Sequence, residues 1–340
     1  MGSVNDALEG RRGTDEGVPI IGCCGERMEK LIVVSARSAN DASARGRTLP
    51  SVRERSYAFD CVSFRPASQS AVIEVKNLTK TYTLSRQQKK EMGPQFTGDT
   101  LDALEGISFA CEPGRVYGLL GPNGAGKTTT LRIIATMLDP TAGTVTVDGL
   151  DVTEQPQVVC ERIGFLTGST GLYDRLTATE LVRYYADLHG VPMAEFEARR
   201  DDLFDLLDMH DFADRRIGTF STGMRQKVSI ARTLIHDPEV IIFDEATAGL
   251  DAIAARSIMH LIRQSRDQGK TVLFSTHRMD EVNMLADDLG ILHEGGLLYD
   301  GTYDAFTATM EADTFEDEFI RRIEEADEAV AMDGRAESIA

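Results

Sequence analysis

From residue 71 onward, short apolar runs alternate with longer stretches in which apolar residues recur at helical spacing. The short runs predict strands at 72–75, 107–110, Val116–Leu120, 144–147, 163–166, 240–243, 271–275 and 289–293. The periodic stretches predict a helix at 127–137, a mostly helical block at 177–209, and helices at 222–235, 252–267 and 279–286. Asp148-Gly149 reads as a turn, and Gly295-Gly296, between two apolar runs, reads as the turn of a hairpin. Strands alternating with helices predict an α/β fold with a mainly parallel sheet core between helical layers. The early strands would add a smaller antiparallel β layer, and residues from about 167 to 222 a helical subdomain. Residues 86–100 form a polar insertion that reads as a surface loop. Upstream of 71 the periodicity disappears, so 1–70 is expected to be a disordered N-terminal extension. The folded body then spans 71–310, followed by an acidic C-terminal helix or tail at 311–340.

Composition narrows the setting. Hydrophobic residues make up 42% of the 340-residue chain, ordinary for a globular protein with room for one large domain or two modest ones. A formal charge of −19 argues against a nucleic-acid partner, which would call for a basic face. Part of that acid lies at the end, where residues 311–340 carry eleven Asp/Glu against three Arg, the pattern of a solvated helix and frayed tail. Five cysteines without framework spacing suit a reducing compartment. Cys23-Cys24 has no second pair or His cluster nearby and reads as incidental. No apolar run approaches the ~20 residues needed to span a bilayer. Ile20-Ile21-Gly22-Cys23 has the look of a lipoprotein cleavage box, but it follows Asp15-Glu16 rather than an apolar stretch. The expectation is a cytoplasmic chain.

The candidate chemistry begins at Gly121-Pro122-Asn123-Gly124-Ala125-Gly126-Lys127-Thr128, between a predicted strand and a predicted helix. Spaced glycines followed by Lys and Thr in that context form a phosphate-binding P-loop. The glycines let consecutive backbone N–H groups point at a phosphate, and the helix N-terminus adds partial positive charge. Lys127 would reach the β- and γ-phosphates, Thr128 would ligate Mg²⁺, and Thr129 follows among the nucleotide-binding residues. A second apolar strand ends in Asp244-Glu245. Beside a P-loop, Asp244 would hold Mg²⁺, directly or through water, and Glu245 would accept a proton from the water attacking the γ-phosphate. His277, after the 271–275 strand, would lie at the same sheet end, within reach of the γ-phosphate. Ser221 suits the N-cap of the 222–235 helix, and the Ser221-Thr222-Gly223 turn is also a potential anion site.

Taken together, these motifs and their order across roughly 72–305 resemble the ATP-binding-cassette (ABC) ATPases. The resemblance implies a P-loop NTPase fold of that type, with ATP and Mg²⁺ as cofactors. Residues 121–128 would be the Walker A loop and 220–224 the signature motif, with Ser221 and Gly223 approaching phosphate. Asp244 and Glu245 would close Walker B, Ala248-Gly249-Leu250-Asp251 would be the D-loop, and His277 the switch histidine. Tyr82 would stack on adenine. The family also implies two ATPase subunits packed head to tail, here a homodimer, on the cytoplasmic face of a separate membrane permease. Three departures stand out: Thr222 and Met224 replace the common Gly and Gln, Ala246 replaces Pro, and Gly168 stands where a Gln normally reaches toward Mg²⁺. The stretch 167–177, the 221–227 stretch and the insertion around Gln87-Gln88-Lys89-Lys90 are similar to ATPase subunits of sodium-extruding ABC exporters, and of ABC-2 exporters generally. Na⁺ export is therefore the expected activity, with drug or antibiotic export as the alternative. A soluble ABC protein acting on ribosomes or DNA fits less well, because this chain has one P-loop and no long coiled coil.

Overall fold

The structure, a computed structural model, describes residues 71–85, 89, 98–167, 171–250 and 252–337. The expectations for 1–70, for most of the 86–100 insertion, and for Gly168 and Asp251 concern residues outside that set. In chain order, β1 (Ile73–Thr83) pairs with β2 (Thr100–Cys111), and β3 (Val116–Leu120) runs into the glycine loop and α1 (Lys127–Ile134). β4 (Ala142–Val147) turns at Asp148-Gly149 into β5 (Leu150–Asp151), then α2 (Pro156–Arg162) leads to β6 (Ile163–Thr167). Helices α3 (Ala178–Leu188), α4 (Met193–Leu207) and α5 (Thr222–Leu234) follow. Then come β7 (Val240–Asp244), α6 (Ala252–Asp267), β8 (Thr271–Thr276), α7 (Met279–Leu285) and the hairpin of β9 (Asp288–His293) with β10 (Gly296–Thr302). Two helices close the chain, α8 (Tyr303–Ala308) and α9 (Phe315–Glu337).

The strands make two sheets, an antiparallel one ordered β2-β1-β4-β5 and a second ordered β10-β9-β3-β8-β7-β6. In the second sheet only β10 is antiparallel to its neighbour. Strands β3, β7 and β8 are buried along their whole length, as parallel strands covered on both faces must be. Alternate side chains on them build two separate cores. Val116, Leu120, Ile241, Phe243, Val272 and Phe274 face the helical side, where Leu181, Phe204, Ile230 and Ile258 complete the packing. Tyr117, Leu119, Ile242 and Leu273 face the other way, onto Leu131 and Ile134 of α1 and onto Ile73, Val75, Leu104 and Val145 of the antiparallel sheet. The parallel sheet is thus clamped in register from both sides, and its strand ends make a stiff platform.

Several elements depart from the periodicity. β1 and β2 are much longer than 72–75 and 107–110, because each has one partly exposed face and register shifts that break the apolar alternation. α1 stops at Ile134 rather than 137, where Thr136 takes a left-handed φ of 62°. The 177–209 block is two helices. Gly190, at φ 69°, and Pro192, the N-cap of α4, break it between them. The acid-rich C-terminal helix is not simply solvated: Phe315 and Phe319 enter the helical-side core, and Glu318 is completely enclosed.

Candidate functional site

Three strand ends meet at one edge of the parallel sheet. Leu120 of β3 pairs with Thr276 of β8, and Asp244 of β7 pairs with Ser275. Register alone therefore brings together the 121–128 loop, Asp244-Glu245 and the Ser275–His277 turn, at the carboxyl ends where open α/β sheets bind ligands.

The loop is held tightly against its surroundings. Gly126 has φ 106°, and a Cβ there would sit 2.6 Å from the Ala103 carbonyl oxygen. A Cβ on Gly121 would sit 2.2 Å from the Leu292 carbonyl oxygen. Both positions need glycine, one for conformation and close approach, the other for close approach alone. Ala125 is buried beneath the loop. The Lys127 Nζ donates to the carbonyls of Gly121 at 2.8 Å and Pro122 at 2.9 Å, curling over the loop it belongs to. It also lies 3.4 Å from Glu245 Oε1. Burial pushes the Lys127 ammonium below the ordinary lysine value, and the Glu245 carboxylate pulls it back up.

The acidic side is equally ordered. Thr128 Oγ1 donates to Asp244 Oδ1 at 3.0 Å, so the hydroxyl and carboxylate that would share a cation already touch. Hard oxygens on a P-loop and a buried strand are a donor set that suits Mg²⁺. Ser275 Oγ donates to the same Asp244 oxygen at 2.9 Å and accepts the Glu245 N–H at 3.1 Å. Glu245 takes a left-handed φ of 48°, uncommon for a non-glycine residue, which turns it out of the strand line. Its Oε1 lies 3.5 Å from His277 Nδ1. A cavity of about 340 Å³ opens beside this cluster, lined by Tyr82, Asn123, Gly124, Lys127, Thr128, Thr129 and Glu245. That volume falls at the lower end of small-molecule sites. Tyr82 lines the cavity together with its strand partner Leu101. Glu245 and His277 also line an adjoining cavity of about 160 Å³ with Ala248 and Gly249.

A family model described as ABC transporter matches residues 104–248. The ABC transporter ATP-binding protein NatA of Bacillus subtilis (strain 168) is 48% identical over 204 residues, which are 60% of this chain and 83% of that protein. The chain belongs to the ABC transporter ATP-binding proteins. It is an ATPase subunit of that family. The daunorubicin/doxorubicin resistance ATP-binding protein DrrA of Streptomyces peucetius is 37% identical over 200 residues, covering 59% of this chain and 61% of DrrA. Among solved structures, the dimeric structure of MJ0796, a bacterial ABC transporter cassette, superposes with a TM-score of 0.59 at 26% identity, covering 68% of this chain and 98% of that one.

In this ABC ATPase not every anticipated residue reaches the cavity. Ser221 and Gly223 are absent from its lining. Ser221 caps α5, its Oγ accepting the Met224 N–H at 3.3 Å, and is exposed. A Cβ on Gly223 would meet nothing within 4 Å. The ABC fold also enlists residues that motif reading passed over. Ser275 aligns both acids, as above. Glu281, buried in α7, accepts from Thr276 Oγ1 at 2.7 Å and Thr247 Oγ1 at 2.5 Å, tying the turn before His277 to the segment after Glu245. Gln226 Nε2 donates to the Ala246 carbonyl at 3.1 Å, linking α5 to the same segment. A hydroxyl at the end of the strand beside Asp244 was a usable signal for Ser275. Nothing local marks Glu281, whose role depends on the fold of two distant loops.

Proposed function

We propose that this chain is the ATP-hydrolysing subunit of a membrane exporter whose cargo is Na⁺. The observation that carries the chemistry is that Glu245 lines the P-loop cavity, 3.4 Å from Lys127 and 3.5 Å from His277. ATP enters with its phosphates against the N–H groups of 121–128, and Tyr82 stacks on the adenine. Lys127 exchanges its loop carbonyls for the β- and γ-phosphates. Thr128 and Asp244 would hold Mg²⁺, which neutralises phosphate charge when bound. Glu245 takes the proton of the attacking water, and His277 contacts the γ-phosphate as charge shifts onto it.

The site is completed by a second copy. Gly223 has neither a positive φ nor a neighbour that excludes a side chain, so this fold alone makes no use of glycine there. A glycine kept open beside the N-terminus of α5 suits close approach by the phosphates of an ATP on another subunit's P-loop. Ser221 would serve the same phosphate. Head-to-tail pairing places two ATP molecules in one interface, and the dimeric cassette structure that superposes on this chain is consistent with it. No helix among the described residues is long and apolar enough to cross a membrane. The transport path belongs to a partner permease, with this chain peripheral on its cytoplasmic face. Leu172, Tyr173 and Leu176, partly buried against the helical core, mark the transmitting surface.

The cargo rests on the likeness of 167–177 and 221–227 to ATPase subunits of sodium-extruding exporters. A second reading, drug export, draws on the identity with a daunorubicin/doxorubicin resistance ATP-binding protein. Expression with the cognate permease in cells lacking their own sodium pumps should lower intracellular Na⁺, and Lys127→Ala should abolish that efflux while assembly is retained. Unchanged Na⁺ together with extrusion of a dye or antibiotic would replace the first reading by the second.

A further inference from the structure

The β9–β10 turn lies directly against the phosphate loop. Glu294 and Gly295 form the turn, both with positive φ, between the paired residues His293 and Gly296. The Gly295 N–H donates to the Ala125 carbonyl at 3.1 Å, and the Gly295 carbonyl accepts the Glu105 N–H at 2.9 Å. The residue before His293, Leu292, supplies the carbonyl against which Gly121 sits. The P-loop therefore rests on the backbone of residues 292–295.

His293 holds that backbone to the C-terminal helix. Its side chain is 13% exposed, and Nε2 donates to Asp327 Oδ1 of α9 at 2.7 Å. Nδ1 is enclosed with no hydrogen-bond partner, so Asp327 is the imidazole's only polar tether among the described residues. Glu294 also has an oxygen near His293 and Asp327, but it sits on the turn itself, so contact with it links the turn to nothing else. Asp327 in turn belongs to a firmly seated helix. Glu318 accepts from Arg321, Arg322 and the N–H groups of Glu311 and Ala312, and the Arg322 guanidinium lies 4.7 Å from the Phe306 ring.

We propose that Asp327 and His293 are positioning residues for ATP binding, through which α9 sets the height of the P-loop. The link runs from Asp327 to the His293 ring, along the turn to the Gly295 N–H, and so to the Ala125 carbonyl. Without Asp327 neither ring nitrogen has a partner among the described residues, and the enclosed imidazole gains by swinging toward water. The turn then loses its brace and the loop N–H groups lose their alignment. Chemistry at Glu245, just past the end of β7, is not on this path. The proposal rests on the reading of 121–128 as the phosphate seat.

The test is steady-state ATPase kinetics on the full chain with Asp327→Ala and Asp327→Asn. For Asp327→Ala, KM for ATP should rise about threefold, the scale of one half-exposed charge-assisted contact, with kcat unchanged. Asp327→Asn keeps an acceptor oxygen and should return KM to near the parent value. An unchanged KM in Asp327→Ala overturns the proposal, as does a fall in kcat shared by both variants, the mark of a merely structural role. Lys127→Ala separates the two levels. If it leaves ATP binding intact, the phosphate-seat reading has failed, whatever Asp327 does.

Discussion

Replacing Glu245 with Gln isolates the proton acceptor from everything else the residue does. The backbone at φ 48° is equally available to Gln, and the N–H bond to Ser275 Oγ is untouched, so the fold should be unchanged. What disappears is a carboxylate 3.4 Å from Lys127 and 3.5 Å from His277. Loss of a general base costs roughly 10²- to 10⁴-fold in turnover, about 3–5 kcal/mol on the barrier. Binding should move the other way. The Lys127–Glu245 attraction is at most about 5 kcal/mol at an effective dielectric near 20, and less here because Glu245 is partly exposed. Removing it frees Lys127 for phosphate, so ATP affinity should hold or tighten. Single-turnover hydrolysis and equilibrium binding of labelled ATP measure the two separately. Hydrolysis within about twofold of the parent would refute the role given to Glu245.

Ser275→Ala removes the hydroxyl that aligns Asp244 and Glu245, and kcat should drop by about tenfold at a stability cost of about 1–2 kcal/mol, read by ATPase assay and thermal melting. Gly126→Ala forces a Cβ to 2.6 Å from the Ala103 carbonyl, and ATP affinity should fall by about tenfold or more as the loop shifts, measured by nucleotide binding. The guanidinium of Arg321 holds the Glu318 carboxyl well below the ordinary glutamate range. A depressed carboxylate stabilises fully above its unfolded value and loses that contribution as pH falls through the folded one. The melting-temperature gap between the parent and Glu318→Gln should therefore be full at neutral pH and narrow below about pH 4.

The buried parallel strands were legible because both faces are covered, so β3, β7 and β8 read as unbroken apolar runs. Their order in the chain implies that the P-loop, Asp244-Glu245 and His277 share one sheet end, where the register places them. β1 and β2 extend well past the apolar runs that mark them, because bulges and a half-exposed face dilute their pattern. The C-terminal helix is where its acidity predicts one, but its buried face is hidden in the composition. Its acids dominate the composition, while Phe315, Phe319 and Ile323 recur every fourth residue and form an apolar stripe that periodicity could have caught. Ser275 leaves a sequence signal, a hydroxyl at the end of the strand beside Asp244, whereas Glu281 acts through contacts with Thr247 and Thr276 from separate segments, to which motif reading has no access.

In the proposed dimer each ATP is held by one copy's P-loop and the other copy's signature turn. That sharing is tested most directly by mixing two inactive variants. Lys127→Ala disables a subunit's own phosphate loop. Gly223→Asp puts a like charge where phosphate should approach, at a position with room for the side chain, so the subunit should still fold. In a mixed pair one site carries both defects and the other carries neither. ATPase activity absent from each variant alone should therefore reappear on mixing. If activity stays at background although tagged pull-down shows that mixed pairs form, Ser221 and Gly223 serve their own subunit's nucleotide or none, and the composite site is wrong.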